Sequence, residues 1–293
     1  MRLCILTDAE GTAGVVDFWG YSRPGFRYHE VARELVTKEV NAAIEGALEA
    51  GVTEVHVIDG HGPGCMNLEL LHPEATLLTG RPIRYPFGVD ESYDLMFMTG
   101  YHAKSNTDGG HLSHSWAMLV EEMWINGNSI GEIGTWLLFA GQLGIPVPLL
   151  TGDQAACDEA RTLIPDIRTV ATKVGWKSGP ATGLTEDGNR SHNGGATHIH
   201  PEKARARIRE AATLAVHEAS SVSSYRVDPP YQIVTIQRPQ DENDPHLISR
   251  CVANDAREIM TVPREWTPLE EDLATVVKRM NTTGRLDVQG AHA

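Results

Sequence analysis

The sequence predicts an α/β fold: a mostly parallel central sheet with flanking helices, plus a smaller C-terminal α+β part. Three observations predict it. The opening run Leu3-Cys4-Ile5-Leu6-Thr7 lacks polar alternation, as in a strand covered on both faces. Residues 28–50 place Val31, Leu35, Ala42, Ile44, Ala47 and Leu48 at broadly helical spacing, and Gly51 stops the helix. Val55-His56-Val57-Ile58-Asp59 then reads as a second buried strand, which makes a strand–helix–strand unit with parallel strands.

The remaining elements follow in order. Residues 11–25 form a glycine-containing loop, and residues 77–79 and 94–99 add short strands. Residues 116–125 read as a strand that turns at Asn126-Gly127, a strong hairpin signal. A helix over 130–143 stops at Gly144, a strand covers 146–150, and a helix over 154–164 ends before Pro165. Residues 175–201 are rich in Gly, Thr, Ser, Asn and His without periodicity and read as a long loop or lid. A helix over 204–219, an alternating strand over 231–237 and a helix over 269–280 complete the chain. The expected division is therefore 1–175 as the α/β part with the active site, 176–201 as loop or lid, 202–283 as the smaller C-terminal part, and 284–293 as a disordered tail.

Bulk properties exclude several functions. The 293 residues carry 39 acids against 25 bases, a formal net charge of -14, which argues against a nucleic-acid partner or an anionic membrane surface. Cys4, Cys65, Cys157 and Cys251 form no CxxC pair, so a zinc–thiolate knuckle is not expected. The chain enters its first strand at once and has no long apolar stretch, so the expectation is a cytoplasmic protein with reduced thiols.

Ligand-type residues recur where strands end. Asp8 and Glu10 follow the first strand, two residues apart and thus facing the same side of an extended segment. His61 follows the second strand in Asp59-Gly60-His61-Gly62, and His102 follows a later one in Gly100-Tyr101-His102-Ala103. His114 lies in Ser113-His114-Ser115, and Glu132 opens a helix in Gly131-Glu132-Ile133-Gly134. Open α/β sheets build their sites at the carboxyl ends of strands. Carboxylates crowded there repel unless a cation or proton compensates. Two His with three carboxylates suit zinc, with manganese or cobalt as alternatives, and five ligands suit two ions sharing one carboxylate. Taken alone, each residue has a plainer reading: a turn histidine, a core histidine, or an acid favoured at a helix start. The segment Asp8-Ala9-Glu10-Gly11-Thr12-Ala13-Gly14 is not the GxGxxG of a dinucleotide site, and its acids would repel a pyrophosphate.

These five motifs, in this order and spacing over residues 1 to about 175, resemble those of the DppA-type D-aminopeptidases, zinc peptidases associated with bacterial dipeptide-uptake operons. The resemblance implies that Asp8 bridges two zinc ions, that Glu10 and His102 complete one metal site, and that His61 and Glu132 complete the other. It implies that His114 is the catalytic residue, and that the chain forms a homodecamer of two stacked pentameric rings enclosing the active sites. The chemistry agrees: paired ions lower the pKa of a shared water to about 7, and a histidine moves protons near neutral pH. Asp59 is placed to orient a ligand from behind.

Two departures bear on specificity. Trp136 stands where the family commonly has an asparagine, and residues 179–201 form a longer segment carrying His192, His198 and His200, for which a lid, a specificity loop or a further metal site is considered. Lys173 and Lys177 precede that segment as candidate contacts for a substrate carboxylate. The expected activity is therefore release of D-amino acids from short peptides. The alternatives are a metal-dependent amidase acting on a non-peptide or N-acylated amide, and a non-catalytic metal- or peptide-binding protein.

Overall fold

The computed structural model describes residues 1–284; the expected tail over 284–293 lies outside the described residues except for Gly284. In chain order the elements are β1 (Arg2–Thr7), α1 (Phe18–Tyr21), α2 (His29–Glu49), β2 (Glu54–Asp59), β3 (Ala75–Leu78), β4 (Leu95–Tyr101), β5 (Val120–Ile125), β6 (Asn128–Ser129), α3 (Glu132–Leu143), β7 (Leu149–Asp153), α4 (Gln154–Leu163), β8 (Arg168–Gly175), α5 (Glu186–His192), β9 (Ala196–His198), α6 (Pro201–Glu218), β10 (Tyr231–Gln237), β11 (Leu247–Ala253), β12 (Thr267–Pro268) and α7 (Leu273–Thr283).

Seven strands form one sheet in the order β3-β2-β1-β4-β7-β8-β9. Its pairings are parallel except at the β9 edge. The run Leu3 to Leu6 is completely buried because apolar layers cover both faces of the sheet. One layer packs Val36, Val40, Ile44 and Ala47 of α2 with Ile208 and Ala212 of α6; the other packs α3 and α4. A second, antiparallel sheet runs β12-β11-β10-β5-β6, so β10 pairs with β5 across the intervening residues 126–230. Among the described residues no helix is long and apolar enough to cross a membrane.

Several elements differ from the sequence reading for physical reasons. β8 alternates Thr and Lys with apolar residues, which hides a strand whose lysine is buried. The strand expected over 116–125 starts only at Val120, because Trp116 takes a left-handed backbone (φ 64). The segment read as a loop over 175–201 contains α5 and β9, and β9 pairs antiparallel with Lys173 to Gly175. Among the described residues, His192, His198 and His200 gather no metal-type cluster; each ring meets a backbone group, Gly179 O, Gly14 N and Glu202 N respectively.

The loop that follows β1 is braced from three directions. Gly11 packs against β4 so closely that an added Cβ would lie 1.8 Å from Tyr101 O. Glu39 of α2 accepts from Ala13 N at 2.9 Å. From β8, Thr172 Oγ1 donates to Gly11 O, and Lys173 Nζ donates to Glu10 O at 2.6 Å and Val15 O at 2.7 Å. Lys173 is 1% exposed, so the substrate contact considered for it does not form; it ties the two ends of the loop instead. Burial pushes its ammonium down to about 7. His198 Nδ1 accepts from Gly14 N at 3.2 Å, and burial with the nearby Lys173 charge holds His198 down at about 4.

Gly11→Ala is expected to destabilise the fold by about 3 kcal/mol, visible as a lower Tm, because backbone rather than a flexible side chain occupies the space. Lys173→Met leaves the carbonyls of Glu10 and Val15 without donors and should cost about 1–3 kcal/mol in a denaturant titration; an unaltered midpoint would remove the brace. For His198 the folded pKa lies below the unfolded value of about 6.5, so the unfolded chain takes up the proton first. Its stabilisation is intact above that value and is lost as pH falls toward about 4. Thermal melts across this window should fall more steeply for the wild type than for His198→Ala.

Candidate active site

The carboxyl ends of three adjacent parallel strands converge on one point. Asp8 and Glu10 leave β1, His61 leaves β2, and His102 leaves β4. Glycine makes the convergence possible at Gly100, whose φ is 72 and whose added Cβ would lie 2.2 Å from Asp8 O. Glu132, the first residue of α3, points into the same place, and its Oε1 accepts from Trp116 N at 2.7 Å.

The candidate ligand atoms fall into two groups, Asp8–Glu10–His61 and His102–His114–Glu132, each with its atoms within 4.8 Å of one another. His61 Nε2 lies 3.2 Å from Glu10 Oε1, and His102 Nε2 lies 3.3 Å from Asp8 Oδ2 and 3.4 Å from Glu132 Oε1. Asp8 therefore touches both groups. These nearest contacts pair Glu10 with His61 and His102 with Glu132, a different partition from the one the resemblance implies.

Hydrogen bonds behind the rings set the tautomers. His102 Nδ1 donates to Ala103 O at 2.9 Å and His114 Nδ1 donates to Leu112 O at 3.0 Å, because a carbonyl only accepts. Each ring thus turns Nε2 toward the carboxylates. His114 stacks on His102 with ring centroids 4.0 Å apart, and its Nε2 is 3.7 Å from Glu132 Oε1.

The electrostatics are those of a site short of positive charge. Burial, with Glu10 next in effect, pushes the Asp8 carboxyl up to about 7. For Glu10 burial pulls upward, but the imidazoles of His61, His114 and His102, led by His61, together outweigh it and the group lies well below its ordinary value. His61 is opposed by burial yet raised to about 9 by Glu10, and His102 is raised well above its usual range by Glu132 and Asp8. His114 goes the other way: burial and the neighbouring His102 lower it. Asp8 Oδ2, Glu10 Oε2, His61 Nδ1 and His102 Nε2 are buried with no hydrogen-bond partner. Buried oxygen and nitrogen atoms without partners, in two clusters of carboxylates and imidazoles, are the donor chemistry a divalent ion takes.

Asp59 works differently from expectation. Its carboxylate accepts from Cys65 N, Met66 N and Thr79 Oγ1, which shapes the loop that carries His61 rather than touching a ring. Arg81 spans the same loop, donating to Gly62 O at 2.6 Å and to His61 O.

The site opens into a cleft of about 510 Å³. Asp8, Glu10, His61, His114 and Glu132 line its floor. Trp136 lies one turn after Glu132 on the same helix face and joins Phe87 and Trp116 in an aromatic wall, with ring centroids 5.4 and 6.2 Å away. Trp19, Arg23, Arg81, Glu186 and Arg190 are among the other lining residues. None of these five was singled out from the sequence, since isolated charged residues and a tryptophan in loops and helices of four and seven residues carry no periodicity.

Comparisons with known proteins agree with this arrangement. The sequence model of the family described as D-aminopeptidase matches residues 1–262. A D-aminopeptidase of Bacillus subtilis (strain 168) is 36% identical over 176 residues, covering 59% of this chain and 64% of that protein, so the aligned part falls just short of two thirds of the relative's length. The structure of the Zn-dependent D-aminopeptidase DppA from Bacillus subtilis, described as a self-compartmentalizing protease, superposes with a TM-score of 0.76 at 26% identity, over 89% of this chain and 96% of the other. A family match that runs from the first strand into the second sheet, together with the shared fold, means that this chain belongs to the D-aminopeptidase family.

Proposed function

We propose that the chain is a zinc-dependent aminopeptidase that releases D-residues from short peptides. One observation carries the reading: Asp8, Glu10, His61, His102, His114 and Glu132 form two clusters, each with its ligand atoms within 4.8 Å of one another, and all but His102 line one cleft. Asp8, Glu10, His61, His102 and Glu132 would hold two divalent ions, with Asp8 shared, since it touches both groups. Bound there, such ions supply Lewis acidity and a water of lowered pKa. The similarity to a Zn-dependent relative supports zinc, and the family description favours the aminopeptidase over an amidase for blocked substrates.

The remaining chemistry falls to the chain's own residues. His114 has its Nδ1 proton committed to Leu112 O, so Nε2 is its working atom. Burial and His102 keep that ring neutral near pH 7, so Nε2 is free to take a proton and pass it to the departing amine. Glu132 is steered by Trp116 N, and the aromatic wall excludes water from one side of the cleft. A self-compartmentalizing relative supports a homo-oligomer, in our reading a decamer of two pentameric rings working in the cytoplasm.

Metal analysis is expected to find two ions per chain; one ion per chain would end the shared-carboxylate arrangement. Chelation should abolish hydrolysis of D-alanyl-D-alanine and added zinc should restore it. N-acetylation of the peptide should block turnover, and cleavage of the blocked peptide would move the function to an amidase. His114→Ala should lower kcat by about 10²–10⁴ with metal content retained; undiminished turnover would remove its role.

A further inference from the structure

We propose that Arg23 is the carboxylate-binding residue of the cleft, and that it selects substrates whose C-terminal carboxylate is free. The inference rests on the aminopeptidase reading. It takes over the role that the sequence suggested for Lys173 and Lys177: Lys173 is buried beneath the loop, and Lys177 lies outside the cleft lining.

Three guanidiniums line the cleft, in a chain whose acids outnumber its bases 39 to 25. Their commitments differ. Arg190 is neutralised within its own helix by Asp187 at 2.8 Å and by Glu186. Arg81 has no ion pair among the described residues, but its N–H groups are taken by main-chain carbonyls: Gly62 O at 2.6 Å, Gly80 O at 2.9 Å, Asp59 O at 3.2 Å, and His61 O. Arg23 is left. Its guanidinium makes no hydrogen bond or ion pair among the described residues, and the residue is exposed.

Its anchorage is nonetheless defined. Ser22, the preceding residue, is buried, and its hydroxyl donates to Phe18 O at 2.8 Å. Phe26 N donates to Arg23 O at 3.1 Å, closing a turn over Gly25, whose φ is 87. The backbone of Arg23 is held at the cleft while its charged head has no partner. The cleft supplies none: Asp8, Glu10 and Glu132 lie on the floor among the imidazoles, and Glu186 is engaged by Arg190.

A guanidinium is a planar fork that matches a carboxylate in a bidentate, charge-assisted contact. A cleft of about 510 Å³ has the size of a small-ligand site, with room for a short peptide. A peptide with its scissile amide on the floor would send its far end toward the rim. The free carboxylate of a dipeptide or tripeptide is the group that meets an uncommitted arginine there. Amidation of that end removes the charge and keeps the size.

The test compares D-alanyl-D-alanine with its C-terminal amide on zinc-loaded wild type, Arg23→Gln and Arg27→Gln. Arg27 is an exposed neighbour whose guanidinium lies 5.1 Å over the Tyr28 ring, outside the cleft lining. The wild type should favour the free acid by about tenfold in kcat/KM, mainly through KM. In Arg23→Gln the KM for the free acid should rise until the preference falls to about twofold or less, while Arg27→Gln keeps the wild-type preference. Equal turnover of acid and amide by the wild type, or an undiminished preference in Arg23→Gln, overturns the proposal. If no protein cleaves either peptide, the aminopeptidase reading fails, and calorimetric binding of the same two peptides decides Arg23: tighter binding of the acid by wild type alone supports it, and equal binding overturns it.

Discussion

Three carboxylates and three imidazoles share one buried pocket, and most of the surrounding structure exists to keep them there. Asp8, Glu10 and Glu132 repel one another, and burial worsens the repulsion. His61 and His102 answer this by holding charge far more tightly than an ordinary histidine. That compensation uses protons where two cations would serve with less crowding. An arrangement so unfavourable on its own needs a rigid frame, and the parallel sheet provides it by delivering each side chain from the end of a fixed strand.

The frame works through backbone proximity and few long side chains. Gly11 and Gly100 let the β1 and β4 ends approach to distances no side chain would allow. Lys173 and Arg81, both cations, use their donors on carbonyls rather than on acids, one under the Glu10 loop and one across the His61 loop. Asp59 does the complementary work by collecting N–H groups of residues 65 and 66. The ligand side chains are thus steered through the main chain that carries them, which leaves their unpartnered atoms turned inward.

Much of this was legible in the sequence because it depends on local pattern. Asp8, Glu10, His61 and His102 each follow an apolar run, with glycine beside them, so strand and strand end could be read together. Glu132 and Trp136 share a helix face by spacing alone, and the departure at Trp136 pointed to specificity, but the aromatic partners Phe87 and Trp116 that complete the wall come from distant segments. What was not legible depends on partners far along the chain. β8 looks polar until Lys173 is known to sit under the β1 loop, and α5 is a seven-residue helix, Glu186–His192, in a stretch of Gly, Asn and Ser. Arg23, Arg81 and Arg190 become a set only once two loops and α5 meet at the cleft.

The strand order has a consequence for how the protein comes into being. In the sheet, β1 lies between β2 and β4, while β8, which supplies the brace beneath residues 10–15, comes from more than 150 positions downstream in the sequence. Non-local pairing of this kind forms late, after most of the loop-closure entropy has been overcome. During synthesis, residues 8 to 132 can all have emerged while the lysine at position 173 is still to come, so the candidate ligands exist before the platform that aligns them. Binding of the proposed ions would then be a late event that reports a finished fold, since an unfinished chain presents its acids and histidines separately rather than as a site.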